Sequence, residues 1–284
     1  MCGKMSIQVF PSKKQPLEIS PDENVGIDVK DLSFSYGSFE ILKKLNIQLN
    51  EPKLISIIGP NGVGKSTLIH CINKILAPTG GCVFINNVDN KDVSYKDLAK
   101  VLGYVPYTTS NTFPISVTDA VLMGRHPHAR HDTTDEDLRI VFETLDMLEI
   151  DHLANRQLNE LSAGQLQKVA LAKGIAQQPR VLLLDEPTSN LDVKHQLNVT
   201  RLLKKISQEQ KIMVIMICHD LNIAAKYSDS ILMMYDGSIY AEGSPKDVLT
   251  PQNIEAVYGV KCKVIDDLGH PHIILRDDDE PMDE

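Results

Sequence analysis

No stretch of this sequence approaches the ~20 consecutive apolar residues that cross a bilayer. The longest apolar runs, such as Ile212–Cys218 and Ile231–Tyr235, reach only strand length, so the chain is not expected to span a membrane itself. Paired cysteines are missing too. Cys2, Cys71, Cys82, Cys218 and Cys262 are odd in number, scattered and nowhere spaced as CxxC, which argues against a disulfide framework or a zinc site and fits a reducing cytoplasm. No apolar segment precedes Cys2, so no secretory or lipoprotein signal is expected. A basic footprint is also lacking. The net charge is −9, and Asp277, Asp278, Asp279, Glu280, Asp283 and Glu284 supply six of the negatives, leaving the body near −3. Binding to a phosphate backbone asks for the opposite sign, so no nucleic-acid partner is expected. No internal repeat is visible.

What is present is a loop built for phosphate. The apolar run Leu54–Ile58 leads into Gly59, Pro60, Asn61, Gly62, Val63, Gly64, Lys65, Ser66 and Thr67. A buried strand that turns through glycines into a helix exposes consecutive backbone N–H groups at the positive end of the helix dipole. The glycines allow close approach, Lys65 reaches the β- and γ-phosphates, and the Ser66 hydroxyl is a ligand for Mg²⁺. ATP with Mg²⁺ is the expected ligand. Further on, Val181–Leu184 is a second apolar run that ends in the carboxylates Asp185 and Glu186. Ligands gather at the carboxyl edge of an open α/β sheet. There Asp185 is suited to hold the Mg²⁺ shell through water, and Glu186 to orient and deprotonate an attacking water.

These features predict an α/β fold with a P-loop core, 284 residues being enough for one domain with subdomains. Residues 1–24 are polar and proline-bearing and read as a flexible extension. The main domain is expected over 25–249. Ile27–Phe34, Ile41–Leu49 and, after a Gly80-Gly81 turn, Cys82–Asn86 suggest an antiparallel subdomain. Leu54–Ile58, Val181–Leu184 and Ile212–Cys218 read as parallel strands covered on both faces. Leu138, Val141, Leu145 and Leu148 mark an amphipathic helix over Asp135–Leu148, within a helical insert at about 107–165. Short helices at Ser244–Asp247 and Pro251–Tyr258 and a strand pair in Val260–Leu275 follow. Residues 250–275 form a small extension and 276–284 an acidic, solvated tail.

Leu161-Ser162-Ala163-Gly164-Gln165, at the mouth of a helix expected to run to Gln178, resembles the signature of ATP-binding cassette (ABC) ATPases, with alanine where glycine is commonest. Ser189-Asn190-Leu191-Asp192 looks like the family's D-loop, His219 like its switch histidine, and Tyr36 stands where an aromatic stacks on adenine. The likeness runs in order from about 27 to 245. It implies an ABC ATPase with a helical signature subdomain, in which Ser162, Gly164 and Gln165 serve the ATP held by a second copy in a head-to-tail dimer, and Asp192 is a further nucleotide-binding residue. It assigns Glu186, His219 and Lys65 to catalysis.

Phe113–His128 and Thr250–Val260 resemble the ATPase subunits of importers for iron–siderophore complexes, haem and cobalamin. That likeness implies membrane permease subunits as partners, a substrate-binding protein acting indirectly, and a peripheral place on the cytoplasmic face of the cell membrane. Related importers of other metals and of molybdate share much of the first segment and stay open as alternatives, as does an ABC ATPase without transport. Against the repair and chromosome types, which insert long coiled coils, only 96 residues separate Lys65 from Ser162. An exporter subunit is disfavoured because no fused membrane segment is visible. One departure stands out. After the strand Leu102–Val105 the family places a glutamine that meets Mg²⁺ and water, whereas here Pro106 is followed by Tyr107, and no glutamine occurs between Gln48 and Gln157. His126, His128 and His131 fall within six residues, but a loop gives them neither fixed geometry nor an evident fourth ligand for a metal.

Overall fold

The computed structural model describes residues 17, 19–20, 23–107, 113–128, 132–189 and 191–277. Strand β1 (Ile27–Tyr36) buries Ile27 and Val29, then Leu32 and Phe34. The parity of that alternation changes between the two pairs, which in an unbroken strand would turn one pair to solvent. A β-bulge resolves it: the register shifts between Val29 and Leu32, and Asp31 takes φ 48. Strand β2 (Phe39–Leu49) pairs with β1 on one side. After β3 (Leu54–Ile58) and α1 (Lys65–Ile72), β4 (Gly80–Ile85) and β5 (Val88–Asp89) complete an antiparallel sheet of order β2-β1-β4-β5. Gly80 and Gly81 are therefore inside a strand and not in the expected turn. Gly81 has φ +72, and a Cβ there would lie 2.3 Å from the Asp31 carbonyl oxygen, so the glycine accommodates the bulge beside it.

The chain continues through α2 (Tyr95–Val101), β6 (Leu102–Val105), α3 (Val117–Leu122), α4 (Asp135–Met147), α5 (Ala163–Ala176), β7 (Val181–Leu184), α6 (Val193–Glu209), β8 (Met213–Ile217), α7 (Leu221–Tyr227), β9 (Ser230–Tyr235) and β10 (Ser238–Gly243). The main sheet has the order β10-β9-β3-β8-β7-β6, parallel except for β10 at its edge. Every residue of β3, β7 and β8 is buried. Alternate side chains feed two cores: Leu54 and Ile58 join α5, α6 and α7, while Ile55 and Ile57 join α1 and the antiparallel sheet. Each fully buried Leu or Ile is worth roughly 1.5–3 kcal/mol, which makes β3 a rigid base for the loop that follows it.

Helix α4 starts at Thr134, whose hydroxyl and the Asp137 carboxylate form a capping box. It buries Ile140, Val141 and Leu145 against α3 and α5. Helix α5 ends at Ala176, two residues short of Gln178. Prolines open α8 (Pro245–Val248) and α9 (Pro251–Tyr258), and the left-handed Gly259 closes the latter. The hairpin of β11 (Cys262–Asp267) and β12 (His270–Leu275) follows. Ile254, Val257, Cys262 and Ile273 are buried in the main core, and Asn222 of α7 exchanges two hydrogen bonds with the Ile273 backbone. Most of 1–24, and the tail from 278, lie outside the described residues; Ser20 and Glu23 offer carbonyls to Arg180. Among the described residues no helix is long and apolar enough to cross a membrane.

Candidate functional site

The loop between β3 and α1 is held from below and open above. Gly59 has φ +144, and a Cβ on it would lie 2.3 Å from the Met234 carbonyl oxygen of β9. A Cβ on Gly64, at φ +101, would lie 2.6 Å from Leu42 Cδ2. Gly62, at φ +80, has nothing within 4 Å of where a Cβ would stand, so its face is the open one. Gly64 is the N-cap of α1 and supplies no side-chain cap, which leaves the first-turn N–H groups to a ligand. Asn61 is exposed, Pro60 and Val63 are half-buried, and Thr67 is buried in α1.

Lys65 is 6% exposed. Its ammonium donates to the carbonyls of Gly59 at 2.8 Å and Pro60 at 2.7 Å. Burial depresses its pKa, while Glu186 and Asp185 pull the other way. Ser66 Oγ donates to Asp185 Oδ1 at 3.0 Å. Asp185 follows β7, and its N–H is tied to the Val105 carbonyl. Burial raises the Asp185 pKa, and the Ser66 hydrogen bond opposes that rise. Glu186 takes the left-handed φ of 50, and its Oε1 lies 2.6 Å from His219 Nε2. Thus Lys65, Ser66, Asp185, Glu186 and His219, drawn from widely separated parts of the chain, converge at the carboxyl ends of β3, β7 and β8. A hydroxyl beside a carboxylate is a hard-oxygen pair of the kind Mg²⁺ takes, and the open glycine loop suits a polyphosphate.

The signature segment stands elsewhere. Ser162 caps α5 by accepting from the Gln165 N–H, and Gln165 Oε1 accepts from the Ser162 N–H. Ser162, Gly164, Gln165 and Asp192 line a cavity of about 480 Å³ to which no residue of the phosphate loop contributes. Asp192 caps α6, and its carboxylate lies 2.8 Å and 2.9 Å from His195 Nδ1. Hydrogen bonds from the His195 backbone and ring hold the Asp192 pKa down. The arrangement separates two groups of residues on one chain. One is the glycine loop with Lys65, Ser66, Asp185, Glu186 and His219, and the other is a helix start whose cavity no residue of that loop lines.

Tyr36 ends β1 at 55% exposure, its ring nearly perpendicular to that of Phe34 with centroids 4.8 Å apart. Tyr107 lies two residues past β6 and is partly exposed. His128 Nε2 is 2.8 Å from the Gln177 carbonyl oxygen, whereas His131 and Asn190 lie outside the described residues. Among the described residues no three His, Cys, Asp or Glu side chains gather as a metal site. Three contributors escape the sequence reading above. Lys168 and His195 line the signature cavity, and helical spacing from Gln165 and Asp192 is the signal that finds them. Tyr258 of α9 reaches the Gly59 backbone; burial pushes its phenol up to about 12 against that hydrogen bond. Only tertiary structure reveals this contact.

The ABC transporter family profile matches residues 42–189. The chain is 44% identical over 248 residues to an uncharacterized ABC transporter ATP-binding protein of Methanocaldococcus jannaschii, covering 87% of this chain and 97% of that one. It is 35% identical over 252 residues to the hemin import ATP-binding protein HmuV of Bordetella avium, with coverage of 86% and 95%. With the ferric enterobactin transport ATP-binding protein FepC of Escherichia coli it shares 32% over 249 residues, covering 86% and 92%. Among solved structures, an ABC transporter in an inward-facing conformation superposes with a TM-score of 0.77 at 29% identity, covering 90% and 99%. A dimeric cassette bound to ADP and phosphate after hydrolysis gives 0.70 at 31%, covering 77% and 98%.

Proposed function

The chain belongs to the ABC transporter family, and from that premise we propose that it is the ATP-hydrolysing subunit of a binding-protein-dependent importer for an iron complex, siderophore or haem, or for cobalamin. The observation that carries its ATP-hydrolysing part is the separation of the two half-sites: among the described residues, nothing lies within 4 Å of where a Cβ on Gly62 would stand, and no phosphate-loop residue lines the signature cavity. A second copy turned head to tail supplies each with what it lacks. Two ATP molecules then hold the copies together, and their hydrolysis releases them.

Within such a site each residue has a task. The N–H groups of the loop and of the α1 start take the phosphates, with Lys65 leaving its two carbonyl partners for the β- and γ-oxygens. Tyr36 stacks on adenine. Ser66 and Asp185 would hold Mg²⁺, which neutralises charge building on the leaving phosphate. Glu186 accepts a proton from the water that attacks the γ-phosphorus as the bond to the β-phosphate oxygen breaks. His219, hydrogen-bonded to Glu186, fixes the orientation of that carboxylate. Ser162 and the N–H groups of α5 close over the partner's γ-phosphate, and Asp192 holds the first turn of α6 beside it.

The importer assignment draws on Phe113–His128 and Thr250–Val260. A permease loop is expected near the partly exposed Tyr107 and the exposed Phe113, placing the subunit peripherally on the cytoplasmic face of the membrane. The cargo class is tested by deleting the gene and following uptake of ferric siderophore, haem, cobalamin and molybdate. Wild type should restore one of the first three, and Glu186→Gln none. Restoration of molybdate alone would reassign the cargo, and unaltered uptake of all four would contradict the importer reading.

A further inference from the structure

Around α6 from the signature cavity, a second cavity of about 460 Å³ opens between the first turn of α6, the length of α7 and the tip of the β11–β12 hairpin. Its apolar walls are Val193, Leu197, Ile223, Tyr227, Leu268 and Pro271. Leu268 is 95% exposed, and both residues of its turn are left-handed, with φ 53 at Leu268 and 88 at Gly269. Asn, Asp or Gly would occupy that turn position at lower cost. The leucine incurs a backbone cost and the hydration of an apolar side chain, and contacts among the described residues offset neither. Val193, the first residue of α6, is 72% exposed beside it. The surface is also rigid: Asn222 locks β12 to α7, and the Asp220 carboxylate caps α7.

We propose that a second copy of this chain covers this groove, so that the contact between subunits extends past the nucleotide sites to the C-terminal hairpin. The inference rests on the head-to-tail dimer proposed above. Asp192 and His195 border the signature cavity, and their neighbours Val193, Gln196 and Leu197 border this one. A copy seated over Asp192 and reaching round the start of α6 over Val193 would meet Leu268. The groove adjoins Asp220, the residue after His219. Partner seating and the switch histidine thus share one rigid support.

The test uses sedimentation equilibrium of the full chain carrying Glu186→Gln, with Mg-ATP. Leu268→Asp and Leu268→Asn should each raise the dimer dissociation constant roughly tenfold or more, as expected for losing one buried leucine per copy. ATP affinity of the monomer should stay unchanged. Leu268→Asn should not lower the melting temperature, because asparagine suits the turn. Leu275→Asp, on an exposed residue outside the groove, should leave the dimer unaltered. Unchanged dimerisation by both Leu268 variants would overturn the proposal, even if they impaired transport in cells, which would give the groove to another partner. An equal effect of Leu275→Asp would overturn it as a general charge effect. If the Glu186→Gln parent itself stays monomeric with Mg-ATP, the dimer reading fails first and this inference falls with it.

Discussion

Glu186 combines a reactive position with a backbone conformation that costs a non-glycine residue roughly 1–2 kcal/mol. Its φ of 50 turns the carboxylate from the end of β7 to within 2.6 Å of His219 Nε2, which is where the proposed mechanism needs a base. Glutamine keeps the shape and the contact with His219 but cannot take up a proton. Glu186→Gln should therefore retain ATP binding while kcat falls by roughly 10²–10⁴. Sizing chromatography with Mg-ATP should then show a trapped dimer, and a mutant that binds ATP normally but stays monomeric would count against the shared site. Lys65 shows the complementary case. Its ammonium is satisfied by two loop carbonyls, so nucleotide must displace those bonds, a rearrangement the sequence motif does not reveal.

At the scale of elements, the helical layer is fastened by a contact between residues 12 apart. Arg125 Nε donates to Asp137 Oδ1 at 2.9 Å, and Nη1 donates to the Ala176 carbonyl and to Gln178 Oε1. The pair joins the end of α3 and the start of α4 to the end of α5, whose other end carries Ser162. Both side chains are buried. The Arg125 hydrogen bond, with that of Thr134, holds the Asp137 carboxyl down to about 2. A carboxylate depressed in the folded state contributes stability that is fully present above its unfolded pKa of about 4 and drains away as pH falls toward the folded value. Asp137→Asn should cost about 3 kcal/mol in urea unfolding at neutral pH, since Arg125 is left buried without its counter-charge. The gap from wild type should close below about pH 4.

The helix over Asp135–Leu148 and the buried strands were legible because period and apolar runs are local signals. The ion pair was not, since nothing in the spacing of Arg125 and Asp137 says that α5 passes beneath both. The same limit explains Gly80-Gly81. A glycine pair reads as a turn, and only the bulge in β1 shows why two glycines belong in a strand. Strand order was equally hidden: β3 lies between β8 and β9, and no local pattern encodes that neighbourhood.

For the whole molecule, the motifs were legible one by one, because each needs particular residues at fixed spacing. Their division into two separate half-sites rested on family resemblance, and geometry now supports it through a signature cavity that no phosphate-loop residue lines. The central claim is that each ATP lies between two chains, with Lys65 from one and Ser162 from the other. It is tested most directly by nucleotide retention in the Glu186→Gln background, using copies that also carry Lys65→Ala or Ser162→Arg. Neither variant alone should retain ATP after gel filtration. A mixed dimer has one site with both lesions and one with neither, so mixing the two should restore retention of up to one ATP per mixed dimer. If mixing restores none, while each variant is folded and Ser162→Arg binds ATP as a monomer, the shared-site account is contradicted.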